Sequence, residues 1–158
     1  MPRPVQPKPI YPKPIYPKSV QPQPVLLDTC AAIWLMSGDP LTPASRSVIR
    51  SARAANCGVY VSAITAWELG TLASKGRIQL TLPPDVWFET LLSLPGIRLA
   101  EATPKILLAS TELPGTPPSD PADRIIAATA RPHGHRLITR DSKLLAYAAE
   151  GHIQATTC

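Results

Sequence analysis

The sequence predicts an α/β fold, a sandwich in which helices cover both faces of a mainly parallel sheet. Runs of three to five apolar residues, which suit buried strands, alternate with longer segments of helical periodicity. This alternation is typical of helices packed on a parallel sheet. Neither a GxGxxG nor a GxxxxGKS/T pattern occurs, so the nucleotide-binding members of this architecture lose their main support.

The chain of 158 residues divides into a tail, residues 1–24, and one domain, residues 25–158, which is long enough to bury a substantial core. The tail repeats a five-residue unit, seen as QPKPI, YPKPI, YPKSV and QPQPV. Proline fixes φ and removes the amide donor, so we predict disorder or polyproline structure. The tail could be a docking ligand or a basic arm for RNA, or an expanded repeat without a role, which we favour.

The net charge of +5 belongs mainly to the tail, which holds four basic residues and no acid. A basic pI is therefore weak evidence that the domain binds nucleic acid. No apolar run approaches the roughly 20 residues that cross a bilayer, and no signal peptide is visible, so no membrane association is expected. The three cysteines lack metal-type spacing and indicate reduced thiols in a cytoplasmic protein.

The first part of the domain is predicted to contain two strands and two helices. A buried apolar run forms the strand at residues 25–27 and ends at Asp28. A helix is predicted next, at residues 31–37, and Gly38 and Pro40 are expected to end it. Arginines at helical spacing mark a second helix at about residues 44–55. The sequence VYVS, rich in β-branched residues, predicts the second strand at residues 59–62.

The middle of the domain is predicted to contain three helices and a strand. Thr65 is expected to cap a helix that runs to Lys75 and is closed by a glycine. Two consecutive prolines begin the next helix, at residues 83–94, and a Pro-Gly pair ends it. A short apolar strand at residues 97–99 leads to a helix at residues 104–113, which also begins with proline.

The last part begins with a loop at residues 114–119, which contains four prolines or glycines in its first five residues. The helix that follows begins at SDPADR and runs to about residue 131. The apolar run LIT predicts a strand at residues 137–139, followed by a helix at residues 142–149. A last edge strand is predicted at residues 153–156.

Four carboxylates are predicted to meet at one edge of the sheet. Asp28 directly follows the first strand, and Asp141 lies two residues after the strand LIT. Glu68 is expected in the first turn of the helix after VYVS, and Asp123 in the first turn of the SDPADR helix. Ligands of open parallel sheets bind beyond the carboxyl ends of the strands, where these acids would lie.

Helix capping is the alternative explanation for each acid taken alone. Asp120 suits an N-cap before a proline, and Asp123 would then lie at the third helical position, where the helix dipole favours an acid. Asp28 and Asp141 could also be caps, and Glu68 an acid in a first turn. A cluster of carboxylates, however, is stable only if cations neutralise it, and Mg²⁺ or Mn²⁺ prefers such oxygen ligands. We therefore assign Asp120 to capping and Asp123 to metal binding.

Four segments carry a resemblance to PIN-domain ribonucleases, and specifically to the VapC-type toxins of bacterial type II toxin–antitoxin pairs. They are LLDTCAAIWLMSGD, VSAITAWELGTLASKGRI, SDPADRIIAATA and RLITRDSKLLAY, in the family's order and with similar spacing. The family often has a His before DPADR, whereas this chain has Pro-Pro-Ser, and the proline-rich tail lies outside the family pattern. The acids that match the family's motifs are Asp28, Glu68, Asp123 and Asp141.

The resemblance implies a PIN-like three-layer α/β/α sandwich that cleaves single-stranded RNA with Mg²⁺ or Mn²⁺. It also implies a small cognate antitoxin protein as partner and a homodimer. Within this interpretation, Asp28 and Asp123 are expected to bind metal directly, and Glu68 and Asp141 directly or through water.

Several neighbouring residues have two open interpretations. Thr139 and Ser142 could orient water or phosphate, although we favour helix capping for Ser142. Arg124 and Arg140 could hold RNA phosphate or offset the carboxylates. The three tryptophans could stack on bases, although core or interface positions are favoured for Trp34, Trp67 and Trp87.

Two other classes of function remain open at the level of sequence. A phosphohydrolase could use Asp28 as a strand-end nucleophile, but that chemistry usually requires a second Asp two residues later, where this chain has Cys30. A non-catalytic binding domain would use its acids only to cap helices.

Overall fold

The computed structural model describes residues 21–158, so most of the proline-rich tail lies outside the described residues. The described part contains a five-stranded sheet and seven helices. The strands are β1 (Val25–Leu27), β2 (Val59–Ser62), β3 (Ile97–Ala100), β4 (Arg136–Thr139) and β5 (Gln154–Thr157). The helices are α1 (Thr29–Ser37), α2 (Pro43–Ala54), α3 (Ala63–Ser74), α4 (Pro84–Ser93), α5 (Pro104–Thr111), α6 (Pro121–Ala130) and α7 (Ser142–Ala149).

The sheet is parallel throughout, in the order β3-β2-β1-β4-β5. The central strand β1 pairs with β2 on one side and with β4 on the other, so that Leu27 lies opposite Val61 and Ile138. Because all strands run the same way, the residues after β1 and β4 come together at one edge, which we call the carboxyl edge. The predicted fold class is confirmed.

Side chains alternate between the two faces of the sheet and form a core on each. Val25 and Leu27 point to one face, where they belong to a cluster with residues of α1, α2, α3 and α4. Leu26, between them, belongs to the opposite cluster with residues of α6 and α7, including the fully buried Leu144 and Tyr147. Helices on both faces therefore bury a sheet that is apolar on both sides.

Two helices begin earlier than predicted, α1 by two residues and α3 by three. Helix α1 begins at Thr29, with Asp28 as its N-cap. Helix α3 begins at Ala63 because the hydroxyl of Ser62, the last residue of β2, accepts a hydrogen bond from the Ile64 amide at 3.2 Å. The prediction of Thr65 as the cap was wrong, and Thr65 is a buried residue of the helix. This change of register also moves Glu68 from the first to the second turn.

Two residues before β1, Gln23 and Pro24, make hydrogen bonds to the rest of the domain. The carbonyl of Pro24 accepts a hydrogen bond from the Arg136 amide at 2.8 Å. The Gln23 side chain donates to the Gly134 carbonyl and to the Gln154 side chain at 3.1 and 2.9 Å. Among the helices of residues 21–158, none is long and apolar enough to cross a membrane.

Candidate active site at the carboxyl edge

Asp28 is the most buried of the four predicted acids, with 5% of its surface exposed. It follows β1 and caps α1, since one carboxylate oxygen, Oδ1, accepts a hydrogen bond from the Ala31 amide at 2.7 Å. The other oxygen, Oδ2, accepts a hydrogen bond from the hydroxyl of Thr139. Burial raises the pKa of Asp28, these two hydrogen bonds oppose the increase, and the nearby charge of Asp141 adds to it.

Thr139, the last residue of β4, joins Asp28 to Asp141 through a single fully buried hydroxyl. The hydroxyl donates to Asp28 and accepts a hydrogen bond from the Asp141 amide at 3.0 Å. Asp141 in turn caps α7, since its Oδ1 accepts hydrogen bonds from the Lys143 and Leu144 amides, both at 2.9 Å. Thr139 therefore positions two acids on neighbouring strands relative to each other.

Glu68 reaches the same edge from α3, where it is half-buried. Its Oε1 accepts a hydrogen bond from the hydroxyl of Thr29 at 2.7 Å, and that hydroxyl lies 3.2 Å from the hydroxyl of buried Thr65. Burial raises the pKa of Glu68, the Thr29 hydrogen bond opposes the increase, and the charges of Asp120 and Asp28 add to it. Because Glu68 lies in the second turn of α3, helix capping does not explain its position.

Asp123 differs from the other acids because, within residues 21–158, no group donates a hydrogen bond to its carboxylate. Asp120 caps α6, as predicted, and its Oδ1 accepts a hydrogen bond from the Asp123 amide at 3.1 Å. Burial first, and then the charges of four neighbouring acids, raise the pKa of Asp123 to about 7. In order of effect these acids are Asp141, Asp120, Glu68 and Asp28.

The carboxylates at this edge have no cationic partner in the described structure. The one ion pair found in residues 21–158 joins His152 to Glu150, away from the predicted acids. The charges of neighbouring acids add to the effect of burial in raising the pKa values of Asp28, Glu68 and Asp123, which is electrostatically unfavourable for the ionised carboxylates. The charges of Asp28, Glu68 and Asp141 therefore act on Asp123, and no Lys, Arg or His of residues 21–158 forms an ion pair with these acids.

The chemistry of these side chains suits an oxygen-preferring divalent cation such as Mg²⁺ or Mn²⁺. Among the residues described, no group of three or more His, Cys, Asp or Glu side chains could hold a metal ion in its present arrangement. The fit rests instead on the uncompensated carboxylates, because a cation that drew them together would relieve their repulsion. Asp123 is the clearest candidate, since its carboxylate has no competing hydrogen bond.

The predicted auxiliary residues lie in different surroundings. Arg124 donates hydrogen bonds to three backbone carbonyls, those of Ser110, Thr111 and Pro118, so its guanidinium joins α6 to the end of α5 and the following loop. Ser142 is exposed and is the first residue of α7, but the cap is Asp141, so the favoured capping role of Ser142 was wrong. Arg140 lies over the ring of Trp34 rather than against a carboxylate.

The tryptophans divide between core and surface. Trp87 is buried and Trp34 is partly buried against the same core, as favoured from the sequence. Trp67 is 63% exposed on α3, so it does not belong to the core. The helix register explains the exposure of Trp67. Thr65 and Leu69, four residues apart, lie on the buried side of α3, and Trp67, midway between them in sequence, lies on the opposite side.

Thr29 is the site residue that the sequence analysis missed. It is buried beside Asp28 in the chain, and its bond to Glu68 spans 39 residues of sequence. A hydroxyl residue next to a strand-end acid is the only signal in the sequence, and the same signal suits a helix cap. Without the packing of α1 against α3, nothing in the sequence distinguishes the two roles.

The model of the PIN domain family matches residues 25–150, most of the described structure. The chain belongs to the PIN-domain family. It is also similar to Ribonuclease VapC22 of Mycobacterium tuberculosis (strain ATCC 25618 / H37Rv), with 39% identity over 122 residues, 76% of this chain and 88% of the relative. The VapC-type resemblance predicted from the four sequence segments is therefore confirmed.

Solved structures of similar shape come from toxin–antitoxin complexes. VapBC2 from Rickettsia felis, bound to a DNA fragment of its promoter, has a TM-score of 0.59 at 15% identity, covering 85% of this chain and 98% of the other. The toxin–antitoxin complex from Klebsiella pneumoniae has a TM-score of 0.51 at 27% identity, covering 77% and 90%. The first likeness concerns the fold alone, and the second agrees with the family assignment.

Proposed function

We propose that this protein is a divalent-metal-dependent endoribonuclease that cleaves single-stranded RNA and acts as the toxin of a toxin–antitoxin pair. The observation that carries the proposal is the uncompensated group of acids at the carboxyl edge, Asp28, Glu68, Asp123 and Asp141. A phosphodiester is anionic, so such a group can approach RNA only with bound cations. The relative named as a ribonuclease supports the same substrate class.

The four acids would bind a cation in different ways. Asp28 and Asp123 would bind Mg²⁺ or Mn²⁺ directly, and Glu68 and Asp141 directly or through water. When bound, the cation would polarise a phosphoryl oxygen and lower the pKa of a bound water. Thr139 keeps Asp28 and Asp141 at a fixed separation, and Thr29 keeps Glu68 directed to the same edge. Such hydrogen bonds to ligand side chains typically set ligand orientation.

The alternative of an Asp28 nucleophile is disfavoured by the surroundings of that residue. Both of its oxygens already accept hydrogen bonds, and the side chain is almost fully buried. The alternative of a purely structural role suits Asp28, Asp120 and Asp141, which do cap helices. It does not suit Glu68 or Asp123, whose charges are half-buried without a capping bond.

Cleavage of a labelled single-stranded RNA by purified protein tests the enzymatic proposal. We expect cleavage with Mg²⁺ or Mn²⁺, loss of cleavage in EDTA, and loss in the Asp123→Asn variant. Asp120→Asn is the matched control, because Asn caps a helix nearly as well as Asp and should leave much of the activity. Cleavage that continues in excess chelator contradicts metal dependence, and a phosphoaspartate trapped on Asp28 would support the phosphohydrolase.

We also propose a small antitoxin protein and a second copy of this chain as partners. The similar complexes of known structure contain antitoxins, which supports the first partner. Expression of the protein alone should slow growth, expression of Asp28→Asn should not, and the product of a neighbouring short reading frame should restore growth. Light scattering of the purified chain measures the second, with a dimer mass expected and a monomer at micromolar concentration as the contrary result.

A further inference from the structure

Arg140 occupies a defined position at the carboxyl edge, between Thr139 and Asp141 in the chain. Its guanidinium carbon lies 3.4 Å from the centroid of the Trp34 ring, a stacked cation–π contact. Its Nε donates a hydrogen bond to the carbonyl of Cys158 at 2.9 Å. The side chain is therefore held by an aromatic face and by the end of the chain, although it is exposed to solvent.

The charge of Arg140 is not used to neutralise the neighbouring acids. It forms no ion pair with an Asp or Glu side chain in the described residues, and the groups that lower the pKa of Asp28 and Glu68 are hydrogen-bond donors, not arginines. The guanidinium is planar through delocalisation, and its position over Trp34 leaves both Nη groups with no hydrogen-bond acceptor in residues 21–158. A guanidinium fixed in this way presents a fork of N–H donors suited to a phosphate.

We propose that Arg140 is a substrate-binding residue that holds an RNA phosphate next to the cleavage site, and that Trp34 keeps it in position. The inference rests on the proposed ribonuclease function and adds a substrate contact to it. The four acids would hold the cation at the reacting phosphodiester, and Arg140 would bind a neighbouring phosphate of the same strand.

Other arginines of the domain lack this combination. Arg124 directs its guanidinium to three backbone carbonyls. Arg98 donates to Asn56 and Tyr60. Arg131 lies at the opposite end of α6 from the acids and donates to the His152 carbonyl at 2.9 Å. As an exposed arginine with one carbonyl bond, Arg131 is a matched control for Arg140.

The binding of RNA by an uncleaving protein tests the inference separately from catalysis. In the Asp123→Asn background, a fluorescent single-stranded oligoribonucleotide is titrated at several salt concentrations with Mg²⁺ present. Arg140→Gln should weaken binding about tenfold and lower the slope of log K against log salt by roughly 0.7, the value for one phosphate contact on a single strand. Arg131→Gln should change neither quantity, and both variants should retain the parent melting temperature.

Two further variants separate the parts of the contact. Arg140→Lys keeps the charge but loses the fork and the flat stack, so its binding should lie between those of the parent and Arg140→Gln. Trp34→Phe should weaken binding only while Arg140 is present, because its effect passes through that side chain.

Equal effects of Arg140→Gln and Arg131→Gln on RNA binding would overturn the inference, even if the wild-type protein cleaves RNA. Weaker binding of the antitoxin by Arg140→Gln, with unchanged binding of RNA, would also overturn it in favour of a protein contact. Failure of the wild-type protein to cleave any RNA would instead contradict the proposed function. The three results are therefore distinguishable.

Discussion

Charged side chains have different surroundings at the two ends of the parallel strands, the carboxyl edge and the opposite end, which we call the amino edge. At the amino edge, the guanidinium of Arg136 makes hydrogen bonds to the neutral side chains of Gln23, Gln154 and Thr156. At the carboxyl edge, burial and the charges of nearby acids raise the pKa values of half-buried Glu68 and Asp123, which form no ion pair among the described residues. The bonds of Arg136 join the segment before β1 to β4 and β5, whereas the ionised carboxylates at the carboxyl edge lower the stability of the fold. Perturbed charges that persist at such a cost mark functional sites.

The largest effect is expected from Asp123→Asn, which removes one charge from the uncompensated edge. Cleavage should fall by at least about 100-fold, because a ligand and its charge are lost. The metal-free variant should nevertheless be more stable than the wild type at pH 8, since mutual repulsion decreases. Thermal melting in EDTA and RNA cleavage with Mg²⁺ measure the two quantities, and Asp120→Asn is the control for both.

The sign of the pH dependence follows from the raised pKa of Asp123, which burial and then the charges of neighbouring acids move from the ordinary 3.8 to about 7. The folded protein keeps a proton on this group at pH values where the unfolded chain has lost it. Stability should therefore decrease as pH rises from about 4 to about 7, and the gain from Asp123→Asn should appear over that window. An equal gain at pH 4 and pH 8 would show that repulsion is not its cause.

Asp28, Asp123 and Asp141 could be placed from the sequence because each follows a strand or lies in the first turn of a helix, whereas Glu68 was expected one turn too early in α3. The partners of these acids could not be predicted. Thr29 reaches Glu68 only because α1 packs against α3, and periodicity contains no information about that contact. Arg124 adjoins Asp123 in sequence, yet its direction depends on the end of α5. Residue type and spacing thus predict the charges, while the tertiary packing decides their hydrogen bonds.

The next largest effect is expected from Thr139→Val, which keeps the shape of a buried residue and removes its hydroxyl. Asp28 would lose a donor and the Asp141 amide an acceptor, so the pair would no longer be fixed together. We expect cleavage to fall by roughly 10- to 100-fold, the usual cost of removing a hydrogen bond to a metal ligand. Thr139→Ser should restore most of the activity, and a serine variant as inactive as valine would contradict the positioning role.

A smaller effect is expected from Thr29→Val, because Glu68 is less buried than Asp28 and keeps its place on α3. The loss of the 2.7 Å hydrogen bond should release the Glu68 side chain and lower metal affinity by roughly tenfold. Titration calorimetry with Mn²⁺ measures this directly, with Thr29→Ser as the conservative control. If valine and serine bind Mn²⁺ equally well, Thr29 only supports the packing of α1 on α3.

The fold and its boundaries show the same division between pattern and packing. Strands β1 to β4 and their order of appearance follow from short runs rich in apolar residues, whereas β5, with the sequence QATT, does not. The starts of α1 and α3 were predicted two and three residues late because a strand-end acid, Asp28, and a strand residue, Ser62, serve as their caps. A residue that both ends a strand and caps the next helix matches neither sequence pattern alone, so the helix start is predicted too late.

The smallest effect is expected at the amino edge, from two truncations of the proline-rich tail that differ by four residues. Removal of residues 2–20 should leave the melting temperature nearly unchanged, since a proline repeat of this composition lacks amide donors for ladder hydrogen bonds and gains little from packing. Removal of residues 2–24 should lower it by roughly 3–6 °C, because the surface bonds of Gln23 and Pro24 to Gly134, Arg136 and Gln154 are lost, at about 0.5 kcal/mol each.

Neither truncation should change metal-dependent cleavage of a short RNA, because the tail supplies no acid and its bonded end lies at the edge opposite the carboxylates. The tail lysines should add only a sequence-independent attraction to longer RNA, which fades as salt rises. Both truncated proteins are therefore compared on one short and one long RNA at low and high salt. Loss of short-RNA cleavage in a folded protein that lacks only residues 2–20 would mean that the two edges are not functionally separate and that the tail reaches the active site.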